Sequence, residues 1–278
     1  MIQGFETREV TDKPIRAFVK SANGILHKKT KQVDQYEKTE WLSFKNFDLP
    51  IAVFGSLRGT GDLIKNCLSI PQIFYYFDHA YHLGTRHSNN NLINDRIYRI
   101  VKNDYNLTYI DELNDTDRER IEKYKKHIEI KPWKKEGKYI LVLPPSDFAK
   151  TYYNIPDWEE DTIYQLKQFT KKDIVVRKKD LSNLNNSLDE QLNDAFACVT
   201  FNSTACIDAV LKGVPSFCDG ISCGMPVSQL DLSQIENPIY SDNREKWINS
   251  LLANQFTMKE IEDGTAYEKV SRNNMRLK

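Results

Sequence analysis

The chain has 278 residues, of which 40% are hydrophobic and 28% charged, values that fit a soluble globular protein with one large domain or two ordinary ones. Lysine plus arginine and aspartate plus glutamate both number 39, so the zero net charge excludes a global attraction to nucleic acid and leaves only local patches. The apolar runs are too short to span a membrane, and the N-terminus lacks the apolar core of a signal peptide. The five cysteines have no CxxC spacing, so neither disulfides nor a zinc site is predicted. Together these features predict a cytoplasmic protein.

The first half of the chain alternates strand patterns with helix patterns. The predicted elements are a strand at 15–20, a strand at 49–55, a glycine-rich turn at 55–61, a helix at 62–69, a strand at 73–77 and a charged helix at 116–130. Strand, turn, helix and strand in succession predict a parallel sheet with helical crossovers.

The second half repeats this alternation after a polar stretch at 131–137, which we interpret as a joint between domains. The predicted elements are strands at 138–143, 173–178, 198–201 and 216–218 and helices at 157–169, 188–195, 244–256 and 258–262. An α/β pattern on each side of the joint predicts two Rossmann-like domains, 1–135 and 136–278, that face each other across a cleft.

The most informative segment is 202–215, which has the pattern of a polar turn, a short helix, a glycine stop and a new strand. Ser203 or Thr204 is expected to cap the helix, so that free N–H groups and the positive end of the helix dipole lie at the carboxyl edge of the sheet. Such a position can bind a phosphate or diphosphate, although an ordinary helix cap explains the same residues. Cys198, Cys206 and Cys218 lie in apolar runs and are expected in the core.

The unit made of Asn202, Ser203, Thr204, Asp208 and the Gly-Val-Pro at 213–215 is similar to the donor-site helix of GT-B-type glycosyltransferases of the capsule type and of related UDP-sugar epimerases. The resemblance implies an acceptor domain at 1–135 and a donor domain at 136–278. It further implies that the small polar residues meet the diphosphate of a UDP-linked sugar and that Asp208 meets the ribose. The sugar is a co-substrate, and no cofactor is expected. Only one acidic residue lies near this helix, so a retaining or inverting outcome stays open.

A second resemblance covers 74–82 and 98–103, which look like segments of bacteriophage glycosyltransferase-like proteins that modify DNA. It implies that the acceptor is a hydroxymethylated pyrimidine in phage DNA, in the host cytoplasm. A base inside a duplex must be extruded before a cleft enzyme reaches it. The basic stretches at 28–31 and 96–102, with Tyr98 inside the second and Tyr105 just after it, would then contact the DNA backbone, or they are simply solvated faces.

Other candidate site residues follow predicted strands. Asp78 ends an apolar strand, where a desolvated carboxylate with a raised pKa would serve as catalytic base; a turn-forming aspartate is the alternative. His79 or His82 is a further candidate base. The remaining predicted site residues are Arg58, His82 and Arg86 for the acceptor and Arg177 and Lys178 for the diphosphate, with solvated basic residues as the alternative.

No metal site is predicted. The intervals between His79, His82 and His87 fall in a predicted loop and do not match a metal-binding motif. The Asp115-Thr116-Asp117 pattern is better explained as a helix cap in which Asp115 or Thr116 is the capping residue. The sequence therefore predicts a glycosyltransferase that acts on a hydroxymethylated base. The alternatives are a glycosyltransferase acting on a surface glycan or other saccharide, a UDP-sugar epimerase, and a non-catalytic nucleotide-sugar binding module.

Overall fold

The chain is described by a computed structural model that covers residues 1–8, 12–28, 48–70, 72–82, 96–178 and 187–272. In these ranges, two short 3-10 helices lie at Met225–Val227 and Leu232–Gln234. In chain order the other elements are β1 (Gln3–Glu6), α1 (Lys13–Ser21), β2 (Ile25–Lys28), β3 (Ile51–Phe54), α2 (Thr60–Ser69), β4 (Phe74–His79), β5 (Ile97–Lys102), α3 (Asp115–Lys125), β6 (Tyr139–Leu143), α4 (Asp147–Tyr153), α5 (Trp158–Phe169), β7 (Asp173–Val176), α6 (Leu188–Asp194), β8 (Ala195–Thr200), α7 (Ala205–Leu211), β9 (Ser216–Cys218), α8 (Arg244–Ala253), β10 (Gln255–Thr257), α9 (Met258–Glu262) and α10 (Thr265–Arg272).

These elements form two compact units. The first unit consists of Met1–Tyr105 together with Leu252–Lys278, and the second consists of Asn106–Leu251. Each unit contains its own sheet, and the described residues contribute six strands to the first and four to the second.

The sheet of the first unit has the strand order β10-β5-β4-β3-β1-β2. Strands β2, β1, β3 and β4 run parallel, whereas β5 and β10 are antiparallel to their neighbours. Aromatic rings dominate the core on one face, where Phe18 of α1 packs edge-on against Phe77 with ring centroids 4.9 Å apart. Phe256, Ile261 and Val270 of the C-terminal elements belong to the same buried cluster.

The predicted strand at 15–20 is wrong, because these residues form α1. Ile15, Phe18 and Val19 are buried, and their spacing places them on one face of a helix. Pro14 occupies the first turn, where its missing N–H costs no hydrogen bond. The helix lies so close to β1 that a Cβ on Gly4 would be 2.3 Å from Cγ2 of Val19. The strands that flank α1, β1 and β2, were not predicted.

The second sheet has the order β7-β6-β8-β9, and all of its strands are parallel. Alternate residues of β6 point to opposite faces. Val142 packs with Leu166 of α5 on one face, and Leu141 packs with Ala209 of α7 on the other. The strands and helices that were predicted between 138 and 218 are confirmed here to within a few residues.

The C-terminal end differs from the prediction. Residues 255–257 do not continue the predicted helix but form β10, which pairs antiparallel with β5 so that Phe256 lies opposite Tyr98. Thr257 then caps α9 in a capping box with Glu260. Because of this strand, the end of the chain belongs to the first unit.

The stretch at 131–137 does not separate the units either. The N–H of Lys131 donates to the carbonyl of Leu211 and that of Lys134 to the carbonyl of Gly213, both at 2.8 Å. The guanidinium of Arg244 lies 3.9 Å from the centroid of the Trp133 ring. These contacts fasten the stretch inside the second unit, so the predicted boundary near residue 135 does not coincide with the division into compact units.

Gly213 lets this packing occur. It ends α7 with φ of +79°, and a Cβ there would lie 2.0 Å from the carbonyl oxygen of Pro132. We therefore expect Gly213→Ala to lower the free energy of unfolding by about 2 to 4 kcal/mol, from the left-handed backbone and the steric clash together. Urea unfolding followed by circular dichroism measures this change.

The matched control is Gly220→Ala. A Cβ at Gly220 would have no neighbouring atom within 4 Å, so the free energy of unfolding should change by less than about 0.5 kcal/mol. Equal effects of the two substitutions would show that the contact between Gly213 and Pro132 does not limit the fold.

Candidate functional site

The parallel second sheet gathers the segments that follow its strands at one edge. Ser146 lies at the N-cap of α4 after β6, Arg177 and Lys178 follow β7, residues 201–204 follow β8, and Asp219 follows β9. This carboxyl edge is where open α/β sheets bind ligands. The predicted donor-site residues are thereby brought to a common edge of the second unit.

The start of α7 is capped by Ser203. The Oγ of Ser203 accepts a hydrogen bond of 3.2 Å from the N–H of Ala205, whereas the Thr204 side chain makes no capping hydrogen bond. Residues 202–204 are partly exposed, and Asp208 lies one turn into the helix and is partly exposed as well. The turn therefore presents small polar groups to solvent at the sheet edge. The prediction of free N–H groups at the start of α7 is wrong for its first three residues, because the N–H groups of Ala205, Cys206 and Ile207 donate to Oγ of Ser203, the carbonyl of Ser203 and the carbonyl of Thr204.

The two basic residues after β7 already have partners. Nη1 of Arg177 donates to Oε1 of Gln191 at 2.8 Å. Nζ of Lys178 lies 3.1 Å from Oε1 of Glu159, whose side chain is only 11% exposed while that of Lys178 is 70% exposed. Both cations are held at the edge, and the exposed Lys178 is the one whose head can move toward a ligand.

A hollow of about 410 Å³ opens at the same edge, on the side of α5. Its walls come from 154–165, from the ends of β8 and β9 and from Leu230 and Leu232. Trp158, Asp161 and Asp219 are among the lining residues, none of which the sequence had singled out. Asp157 lines the hollow as well; it is the N-cap residue of α5, and its side chain makes no capping hydrogen bond.

In the first unit, Asp78 is an ion-paired residue inside β4. Its Oδ2 accepts a hydrogen bond of 2.7 Å from Nη2 of Arg99, and the Tyr76 hydroxyl lies 3.3 Å from the same oxygen. Asp78 and Arg99 are direct cross-strand partners in the register of β4 and β5. A carboxylate held in this way is suited to anchoring two strands, and its role as catalytic base stays a prediction.

The other predicted residues of the first unit lie near the same end of β3 and β4. His79 is exposed, and its ring centroid is 5.7 Å from that of Phe54. Arg58 has φ of +61° in the turn after β3. The backbone N–H of His82 donates to Oε1 of Gln255 at 3.3 Å. Arg86, like His87, lies outside the residues that the structure describes.

The predicted nucleic-acid contact by residues 96–105 is wrong for its aromatic and inner basic members. Tyr98 and Arg99 of β5 and Tyr105 after it are 6%, 9% and 8% exposed, which leaves them little surface for a contact with DNA. Nζ of Lys102 donates to the carbonyl of Ser271 at 2.9 Å. Of the other basic stretch, Lys28 is exposed, and 29–31 lie outside the described residues.

The Asp-Thr-Asp pattern at 115–117 belongs to a helix cap, but the capping residue is neither Asp115 nor Thr116. Asn114 accepts from the N–H of Asp117, whose carboxylate in turn accepts from the N–H of Asn114. Within the described ranges, no three His, Cys, Asp or Glu side chains are placed to hold a metal ion. Nor does any helix there have the length and apolar character that crossing a membrane requires.

The fold is α/β of the GT-B type. Among solved structures, the chain is similar to the KpsC β-Kdo 2,7 transferase of Thermosulfurimonas dismutans, with 13% identity, a TM-score of 0.50 and coverage of 96% of this chain and 99% of that chain. It is also similar to the KpsC β-Kdo 2,4 transferase of that organism, with 11% identity, a TM-score of 0.46 and coverage of 91% and 90%. No protein-family model matches the chain, and no curated protein matches its sequence.

At this identity the likeness concerns the fold. The predicted GT-B-like α/β class is confirmed, and the resemblance to capsule-type transferases is supported to that extent. The resemblance to DNA-modifying phage proteins gains no such support.

All five cysteines are free and buried. Sγ of Cys206 in α7 lies 3.7 Å from Sγ of Cys223, and a Cβ on Gly224 would be 2.9 Å from Sγ of Cys206. Burial raises the pKa of Cys67 and of Cys218 to about 12 and the pKa of Cys198 well above its usual value. The hydrogen bond with Cys223, followed by burial, raises the pKa of Cys206. The prediction of core cysteines is confirmed.

We therefore expect none of the five thiols to react with Ellman's reagent in the native protein at pH 8, since each is buried and reaction requires an accessible thiolate. After unfolding in guanidinium chloride, five thiols should react per chain. A rapid stoichiometric reaction without denaturant would contradict the packing around α7.

Removing the guanidinium of the Asp78–Arg99 pair should destabilise the first unit. The side chains of Arg99 and Asp78 are 11% and 28% exposed. We expect Arg99→Met to cost about 2 to 3 kcal/mol of unfolding free energy, less than for a fully buried pair because Asp78 is partly solvated. A thermal or urea unfolding curve measures this cost.

The control is Lys138→Met, which breaks an ion pair with Asp194 whose side chains are 75% and 51% exposed and which should cost less than about 1 kcal/mol. A double-mutant cycle with Asp78→Asn should show coupling between Asp78 and Arg99. Additive effects would mean that the carboxylate does not anchor β5.

Proposed function

We propose that the protein is a glycosyltransferase that moves a sugar from a nucleotide-sugar donor to a hydroxyl group of a saccharide acceptor. One observation carries the proposal: in a GT-B-type fold, the carboxyl edge of the parallel second sheet presents both a polar turn at 202–204 and a hollow lined by aromatic and hydrogen-bonding side chains. The nucleotide sugar, UDP-linked in our proposal, is a co-substrate.

The donor diphosphate would lie along the sheet edge. In the order β7-β6-β8-β9, Arg177 and the turn at 202–204 follow strands that are two positions apart, a separation of about 10 Å. Arg177 and Lys178 would neutralise the leaving diphosphate from one side, and Asn202, Ser203 and Thr204 would donate hydrogen bonds from the other. Asp208 would accept hydrogen bonds from the ribose hydroxyls.

The acceptor and the base are proposed in the first unit. His79 is the stronger candidate for the base, because its side chain is exposed whereas the carboxylate of Asp78 is engaged by Arg99. An imidazole accepts a proton near neutral pH, as deprotonation of an acceptor hydroxyl requires. Asp78 keeps a positioning role in this scheme, and Arg58, His82 and Arg86 are the proposed acceptor contacts.

A saccharide acceptor is better supported than a base in phage DNA. The formal net charge is zero, and the stretch at 96–105 that was to hold the DNA contributes buried tyrosines and a paired arginine. The similar KpsC structure with a TM-score of 0.50 is a β-Kdo 2,7 transferase, which acts on a sugar. Hydroxymethylated DNA becomes one arm of the test.

We expect transfer of one sugar unit when the protein is incubated with UDP-, GDP- and CMP-linked sugars and a panel of saccharide acceptors, with intact-mass analysis as the measurement. Asp208→Asn and Ser203→Ala should each lower the rate, by about 10²-fold where a transition-state hydrogen bond is lost. Asp194→Asn, at an exposed position in the same unit, is the matched control and should keep full activity.

The other outcomes identify the alternatives. A mass gain confined to hydroxymethylated DNA would replace the saccharide acceptor. Release of free altered sugar from donor alone would indicate an epimerase. Absence of turnover with every donor, together with donor binding that survives Asp208→Asn, would leave a non-catalytic module.

A further inference from the structure

Acidic side chains predominate among the charged residues that line the hollow at the edge of the second sheet. Among the residues that the structure describes, its lining includes three carboxylates, those of Asp157, Asp161 and Asp219, and no lysine, arginine or histidine. Neutral polar side chains complete the rim, among them Asn154 and Gln165. An anionic group entering this hollow would be repelled by these carboxylates, whereas hydroxyl and amino groups would find many acceptors.

The inner wall of the hollow is apolar and aromatic. Trp158, Phe217 and Leu232 contribute to it. Trp158 lies at one end of a row of rings, with its centroid 6.4 Å from Phe201, the residue that begins the polar turn after β8. An aromatic surface beside carboxylate and amide groups suits a sugar ring, which has apolar C–H faces and an equator of hydroxyl donors.

The size of the hollow is also suitable. Its volume of about 410 Å³ lies within the roughly 300–1,000 Å³ of small-molecule sites. The hollow reaches Thr200 at the end of β8, only two residues before Asn202 of the turn. The hollow therefore borders the turn that is proposed to bind the diphosphate.

We infer that this hollow binds an uncharged or amine-bearing sugar ring and rejects acidic sugars. Asp161 and Asp219 accept hydrogen bonds from ring hydroxyl or amino groups, and Trp158 packs against the C–H face of the ring. The hollow selects against anions because its described lining contains three carboxylates and no cationic side chain. That the ring belongs to a transfer substrate rests on the function proposed above; the binding itself does not.

The test compares glucose, glucosamine and glucuronic acid by ligand-observed NMR titration and by competition. Glucose and glucuronic acid differ only at C6, where glucuronic acid has a carboxylate in place of the hydroxymethyl group of glucose. We expect glucose and glucosamine to bind and glucuronic acid to bind at least about tenfold more weakly, in proportion to the repulsion from the carboxylates. Asp161→Asn and Trp158→Ala should each weaken glucose binding by about fivefold or more, the loss of one hydrogen bond or one stacking contact.

Glu160→Gln is the matched control for Asp161→Asn, because Glu160 is the exposed neighbour on α5 and does not line the hollow. Asp219→Lys is a second test variant, for which a gain of binding is expected instead of a loss. It places a cation on an exposed position of the rim and should raise the affinity for glucuronic acid by about tenfold relative to glucose.

Competition experiments distinguish whether the ring in the hollow belongs to the donor or to the acceptor. If the hollow holds the donor sugar, glucose should raise the KM for the nucleotide sugar; if it holds the acceptor, glucose should raise the KM for the saccharide. Stronger binding of glucuronic acid than of glucose, or variants of Asp161 and Trp158 that behave like Glu160→Gln, would overturn the inference while sugar transfer could still be observed. Glucose binding in the expected order without any transfer would refute the proposed function and leave the inference standing.

Discussion

The parallel pairing of β7, β6, β8 and β9 is the constraint on which the proposed chemistry depends. Parallel strands need crossovers, and these crossovers put α5 on one face of the sheet and α7 on the other. Because all four strands point the same way, the chain leaves each of them at one edge. Ser146 after β6 and Asp219 after β9, which are 73 positions apart in the sequence, thus lie at the same edge of the sheet. Reversing any one of these strands would move the residues that follow it to the opposite edge of the sheet, away from the other candidate site residues.

The second sheet could be predicted because each of its strands is a short apolar run between clear turn signals, as in 138–143 before the prolines at 144 and 145. The first unit was harder. Residues 15–20 are apolar enough to suit a strand, and only the spacing of Ile15, Phe18 and Val19 indicates a helix. The strand β10 could not be predicted locally, since its conformation depends on pairing with β5, more than 150 residues earlier.

The same limit applies to the candidate site. Residues at strand ends, such as Arg177 and Ser203, are predictable because a strand and its following turn are continuous in sequence. The partner of Asp78 is not, because Arg99 comes opposite it only through the antiparallel register of β4 and β5. Without that pairing, Arg99 was interpreted as part of a basic surface. The hollow was missed for a related reason: its walls come from α5, β8 and β9, which periodicity treats separately.

The charges at the edge of the second sheet are ordered across the strands. The cations Arg177 and Lys178 follow β7 at one side, and Asp219 follows β9 at the other, a distance of about 15 Å across the sheet. A nucleotide sugar has a matching division, with two negative charges on the diphosphate and a ring that can be uncharged. Arg177 and Lys178 would therefore attract the diphosphate to the β7 side, while the carboxylate of Asp219 would disfavour an anionic ring on the β9 side. An acidic sugar would weaken that orientation, so the charge of the ring and the direction of binding follow from one electrostatic arrangement.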